Sequence, residues 1–191
     1  MTGPELGRPR ADAEDMRRAV LRARRAQESW ASLPLRERTR PLLRFHDLLL
    51  DRREEALDLI QLETGKARPH AFEEVADTAS VTRYYARSAR RHLRARPRGA
   101  LLPLLTSARE LRPPRGVVGL IAPWNYPLTL AVTDAVPALV AGNAVVLKPD
   151  PRTADTALWA EDLLREAGVP RDVFQAVPGA GAELGPALVS G

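Results

Sequence analysis

Residues 115–148 read RGVVGLIAPWNYPLTLAVTDAVPALVAGNAVVLK, and this stretch decides the fold. A short apolar, β-branched run over 117–122 predicts a buried strand, and 126–140 has the apolar character of a helix. A second apolar run over 144–147 predicts another strand. Strand, helix and strand at this spacing form a βαβ unit, whose right-handed crossover makes the two strands parallel neighbours. The residues just beyond each strand, 123–127 and 148–150, then share the carboxyl edge of the sheet, where open α/β sheets hold their ligands.

The same alternation continues downstream. Thr153 or Asp155 opens a helix that ends at Gly168, with Pro170 just past it; 173–177 is a third strand and 182–189 a last helix. Upstream the texture is helical. Met16, Val20, Ala23, Ala26 and Trp30 recur at three- and four-residue steps behind a candidate N-cap, Asp12, and Leu33-Pro34 ends that segment. Leu42, Phe45, Leu49, Ala56, Leu59 and Ile60 mark two further helices parted near Asp51, the second closed by Gly65. A helix over 70–93 is expected to turn Phe72, Val75, Ala76 and Ala79 inward. Between helices and sheet, prolines 97, 103, 113 and 114 forbid a long helix and suit an arm, with extended pieces over 101–105 and 108–111. The expected division is a helical part over 1–97, a hairpin arm over 98–114 and the first βαβ units over 115–191. A sheet of only three strands is also expected to leave apolar faces and an edge exposed.

Composition sets bounds. An apolar share of 45% and a charged share of 28% fit a soluble globular chain. No run approaches the roughly 18 apolar residues that span a bilayer, and residues 1–15 lack the apolar core of a secretory signal, so a cytoplasmic location is expected, without membrane partners. The absence of cysteine rules out disulfides, thiolate metal sites and a thiol nucleophile in this chain. His46, His70 and His92 have no ligand spacing, and no metal is expected. The net charge is +5, and Lys66 and Lys148 are the only lysines among 29 basic residues. Arg87, Arg90, Arg91, Arg94, Arg96 and Arg98 form the densest basic run. It reads as a solvated helix face leading into a linker rather than a nucleic-acid surface.

Three features bear on chemistry. Asn125 stands between Pro123 and Pro127 in a stiff loop after the first strand. Its amide is a neutral donor suited to an oxyanion, or it caps the following helix. Lys148, followed by Pro149 and Asp150, ends the second strand, where an ammonium can hold ribose hydroxyls or a phosphate. Gly179-Ala180-Gly181, with Gly185, approximates a dinucleotide-binding glycine pattern one residue too long, and serves equally as a plain turn.

Taken together the motifs resemble the aldehyde dehydrogenase superfamily. Glu63-Thr64-Gly65-Lys66 with Ala71 and Glu73-Glu74-Val75, the GVVGLIAPWN run from Gly116, Pro137-Ala138-Leu139 with Ala141-Gly142-Asn143 and the VVLKP run to Pro149, and Ala167-Gly168-Val169-Pro170 with Val173-Phe174 follow that family's motifs in order. The resemblance covers the chain from about residue 10. It implies an α/β fold of N-terminal helices, an oligomerisation hairpin and an incomplete Rossmann-like sheet. It implies an oxyanion role for Asn125 and NAD(P) contacts from the backbone of Ile121, Ala122, Pro123 and Trp124 and from Lys148, with Asp150, Arg152 and Gly181 beside them. It further implies a small aldehyde as substrate and a homo-oligomer. The stretch from Pro123 to Asp150 is most similar to NADP-type succinate-semialdehyde dehydrogenases. Where NAD-preferring members carry a glutamate three residues after the lysine, this chain has Pro151, then Arg152, which favours NADP.

The family mechanism uses a cysteine thiolate and a glutamate base. This chain has no cysteine, and Glu183-Leu184-Gly185 only imitates the base segment. The expectation is an N-terminal portion of an NAD(P)-dependent aldehyde dehydrogenase that is inactive alone. The alternative is a non-catalytic truncated paralogue that associates with full-length subunits.

Overall fold

The middle strand of the sheet, Ala144–Lys148, is buried at all five residues because helices cover both its faces. The computed structural model describes residues 11–102 and 105–190. Four helices come first: α1 (Ala13–Ser32), α2 (Leu35–Asp51), α3 (Arg53–Thr64) and α4 (Arg68–Leu93). Strands β1 (Arg96–Arg98) and β2 (Ala108–Glu110) form an antiparallel hairpin. Then follow β3 (Val117–Ile121), α5 (Pro127–Val132), α6 (Ala135–Val140), β4 (Ala144–Lys148), a 3-10 turn (Pro151–Thr153), α7 (Ala154–Ala167), β5 (Phe174–Ala176) and α8 (Gly181–Val189). The sheet is parallel in the order β3-β4-β5, with Ile121 level with Lys148 at the carboxyl edge. This is the expected α/β class.

Two cores sandwich the sheet. On one face Met16, Ala19, Val20 and Ala23 of α1 and Leu184, Ala187 and Leu188 of α8 meet Ala144 and Val146. On the other, Val145 and Leu147 meet the helical layer built around Phe45, Leu49, Ile60, Leu128, Leu139 and Leu164. The alternation of β4 side chains divides them between these cores. The expected exposure of apolar faces is thus corrected for β4; the outer edge of β3 is open, with Ile121 60% exposed.

Local chemistry explains the helix ends. Asp12 and Asp15 form a reciprocal cap, each side chain accepting from the other's backbone N–H at 2.7 and 3.0 Å. Gly65 takes a left-handed φ of 71° that closes α3. Trp30 Nε1 donates to Leu139 O at 2.9 Å and ties α1 to α6.

Several expectations are corrected. The single helix over 126–140 is two, broken at Thr133 and Asp134, because Pro137 has no N–H to offer the Thr133 carbonyl and its ring crowds that oxygen. The first extended piece of the arm lies at Arg96–Arg98 rather than over 101–105; residues 101 and 102 are bends, 105 is a turn, and 103–104 lie outside the described residues. Val75 and Ala79 of α4 are buried as expected, but Phe72 is 51% exposed and Ala76 half-buried, while Ala71, Glu74 and Thr78 also face inward. In α3, Ala56 and Ile60 are buried as expected, but the third buried residue is Leu57 rather than Leu59.

Gly179 sits where three segments converge: a Cβ there would lie 2.7 Å from Ala11 O and 2.5 Å from Leu184 Cδ1. Ala11 N also donates to Pro178 O at 3.2 Å, so the backbones have little freedom to part. Gly179→Ala is expected to lower stability by about 1–3 kcal/mol, the usual cost of overpacking. Urea unfolding with an unchanged midpoint would show that this junction yields freely.

Candidate functional site

The carboxyl ends of β3 and β4 carry the residues singled out from sequence. Parallel register places Ile121 beside Lys148, and Ala122 N donates to Lys148 O at 3.0 Å, so the loop 122–126 leaves the sheet next to the lysine. Ala122 is buried, whereas Pro123, Trp124 and Asn125 are exposed. The Asn125 side chain makes no hydrogen bond among the described residues. It does not cap α5: that helix has no side-chain cap from its own N-cap residue, Tyr126.

The cap comes from elsewhere. Glu74, whose side chain is fully buried, accepts through Oε2 from Leu128 N at 3.0 Å and Thr129 N at 3.2 Å, and its Oε1 pairs with Lys66 Nζ. Glu63 serves α7 in the same way, accepting from Asp155 N at 2.8 Å, Thr156 N at 2.9 Å and the Thr156 hydroxyl. Both helices thus receive a carboxylate at their positive ends from the α3–α4 pair. Sequence reading assigned neither role. The available signal was the pair of glutamates flanking Gly65 and Lys66, one of them on the inward stripe of α4.

Lys148 is 5% exposed, and Nζ has no hydrogen-bond or ion-pair partner among the described residues. It faces the start of α8, since a Cβ on Gly181 would lie only 3.6 Å from Nζ. No side chain caps α8, whose first N–H groups open beside the ammonium. The stem of Lys148 is buried, and its ammonium adjoins a helix N-terminus that favours negative charge. Asp150 lies near: burial pushes its carboxyl up, but hydrogen bonds from the Arg152 side chain and backbone, with the charges of Arg152 and Lys148, hold it below the usual range. Arg152 pairs with Asp150 at 3.0 Å and stacks over the Trp124 ring at 4.7 Å. The structure therefore brings Ile121, Ala122, Pro123, Trp124, Lys148, Asp150, Arg152 and Gly181 to one edge, with Asn125 on the loop above. The arrangement suits a ligand bearing hydroxyls and phosphate.

Two clefts lie on other parts of the sheet, the second reaching Ile121. One of about 580 Å³ runs along β5, where Arg22 pairs with Asp172, and Arg165 with Glu161 and Asp162. The other, about 320 Å³, lies along the open edge of β3 between Val20, Ile121 and Leu188. Glu183, the imitation of the family's base, accepts from Ala13 N at 3.3 Å and so packs against α1. No helix among the described residues is long and apolar enough to cross a membrane.

Residues 4–191 match the aldehyde dehydrogenase family, and the chain belongs to it. A protein of Mycolicibacterium smegmatis, provisionally named a succinate-semialdehyde dehydrogenase [NADP(+)], is 47% identical over 189 residues. That match covers 98% of this chain and 37% of the relative, so the chain spans just over a third of that protein's length. Among solved structures, an NAD-dependent aldehyde dehydrogenase from Sinorhizobium meliloti superposes with a TM-score of 0.90 at 36% identity, covering 96% of this chain and 36% of that one. An NAD-dependent benzaldehyde dehydrogenase from Corynebacterium glutamicum gives 0.88, also at 36% identity, with 95% and 40% covered.

Glu63 allows a pH test. Burial pushes its carboxyl up, and the hydrogen bonds it accepts only partly oppose this. With the folded pKa above the unfolded value of about 4.3, its contribution is full below that pH and is lost as pH rises through the folded pKa. The stability gap between the native chain and Glu63→Gln is expected to shift towards the glutamine variant as pH rises from about 4 to 7. A gap that is constant, or moves the other way in urea titrations, would contradict this.

Proposed function

We propose that this chain is the cofactor-side, N-terminal portion of an NADP-dependent aldehyde dehydrogenase acting on succinate semialdehyde, and that alone it binds nucleotide without turning over. The observation that carries the reading is the largely buried Lys148, whose ammonium makes no hydrogen bond among the described residues and faces Gly181 at the open N-terminus of α8. Lys148 would hold the adenosine ribose, and the α8 N–H groups a phosphate. The backbone from Ile121 to Trp124 would flank the cofactor. Pro151 offers no carboxylate to repel a 2′-phosphate, and Arg152 is close enough to exchange Asp150 for one. When bound, the nicotinamide supplies a hydride acceptor; the chain's own contribution beside it is the Asn125 amide, free to donate to a carbonyl oxygen as negative charge develops there.

The chain has no thiol to attack that carbonyl, so donor and cofactor seat stand without a nucleophile. In this reading residues 1–97 are the helical part, 98–114 the arm and 115–191 the first βαβ units. The arm would join copies of the chain. Leu101 and Leu105 at its tip, 94% and 80% exposed, favour such an interface, and they equally suit docking on full-length subunits.

Calorimetric titration of the purified chain with NADP is expected to show binding that falls about tenfold or more in Lys148→Ala, the worth of a charge-assisted hydrogen bond. Adding succinate semialdehyde is expected to give no sustained NADPH. Binding that is indifferent to Lys148, or continuing NADPH formation, would refute the reading.

A further inference from the structure

Asn125 is flanked by two aromatic residues, and each lies under a cation anchored by its own carboxylate. On one side Arg152, paired with Asp150, lies over Trp124 at 4.7 Å. On the other Lys66 Nζ lies 3.9 Å from the centre of the Tyr126 ring and pairs with Glu74. Lys66 comes from the α3–α4 junction, 60 positions away in sequence, and its backbone is fixed there: Lys66 N donates to Thr64 Oγ1 at 3.3 Å, and Gln61 Nε2 donates to Lys66 O at 3.2 Å. Glu74, by accepting from Leu128 N and Thr129 N, fixes the chain just after Tyr126. Ring and backbone on that side of Asn125 are therefore held by one ion pair.

We propose that Lys66, anchored by Glu74, is a positioning residue for Asn125: its ammonium pins the Tyr126 ring and thereby sets the direction in which the neighbouring amide points. A cation over a ring prefers the ring face, so the ring plane cannot rotate without losing the contact. The half-exposed Tyr126 has no other fixed partner among the described residues. The Asn125 side chain has no hydrogen bond to orient it, so its direction depends on how its neighbours are held. The functional meaning of this device rests on the oxyanion reading of Asn125; its existence does not.

The sequence contains only two asparagines, Asn125 and Asn143. Asn143 is locked internally, accepting from Arg115 N at 2.5 Å and Gly116 N at 3.0 Å and donating to Ala138 O at 3.1 Å. Selective 15N-asparagine labelling of the full chain therefore reports the loop and an internal reference together. In Lys66→Met and in Tyr126→Leu the side-chain amide pair of Asn125 is expected to sharpen and move towards the position of a free asparagine, while that of Asn143 stays in place. Lys66→Arg is expected to restore the native Asn125 position. If the Asn125 pair keeps its native position in both variants, or both pairs move together in both, the proposal is overturned. If Lys66→Met does not fold, Tyr126→Leu decides by the same criterion. Separately, an Asn125 pair left unmoved in the native chain by saturating NADP and succinate semialdehyde would count against the oxyanion reading and leave the Lys66 result standing.

Discussion

Two carboxylates, Glu74 buried and Glu63 half-buried, hold this structure's working edge together. Glu63 at the end of α3 and Glu74 near the start of α4 reach across the helical layer to the N-termini of α7 and α5, the helices that follow β4 and β3. A helix start leaves backbone N–H groups without partners, and both starts lie where no local side chain satisfies them. A buried carboxylate is tolerable only when its oxygens are bonded, and here each satisfies the other's need. Because α5 and α7 begin just beyond the loops that follow β3, with Asn125, and β4, which ends at Lys148, fixing their first turns fixes where those loops leave the sheet.

The charges around the site follow from the same economy of partners. Lys66 is committed to Glu74 and Tyr126, and Arg152 to Asp150 and Trp124, so two cations are used to hold aromatic rings. Lys148 alone among these makes no hydrogen bond or ion pair among the described residues, and it stands at the mouth of α8. Asn125, the Lys148 ammonium and the start of α8 then lie along one edge of a parallel sheet. The chain contains no cysteine.

Much of the fold was legible because hydrophobic periodicity reports burial directly. β3, β4 and β5 lie where apolar β-branched runs placed them, and Asp12 and Gly65 end helices as their side chains or their absence require. The misreadings have particular causes. Phe72 was read as core by its apolarity, but the inward stripe of α4 runs through Ala71, Glu74, Val75, Thr78 and Ala79, and the interior accepts Glu74 because tertiary partners neutralise it. The break at Thr133 was marked by Pro137, a signal present but outweighed by the surrounding apolar run. The positions of Lys148 and Gly181 along the chain were readable; their approach in space was not, since it depends on α8 folding back against β4. The capping by Glu63 and Glu74 spans from 54 to 93 residues of sequence separation, beyond the reach of any local pattern.

Residue-resolved amide hydrogen exchange tests the central claim most directly. In Glu74→Ala the amides of Leu128 and Thr129 should lose protection while those of Asp155 and Thr156 keep it, and Glu63→Ala should give the reverse. Unchanged protection at both pairs, or equal loss at both in either variant, would contradict the account that each carboxylate holds its own helix start.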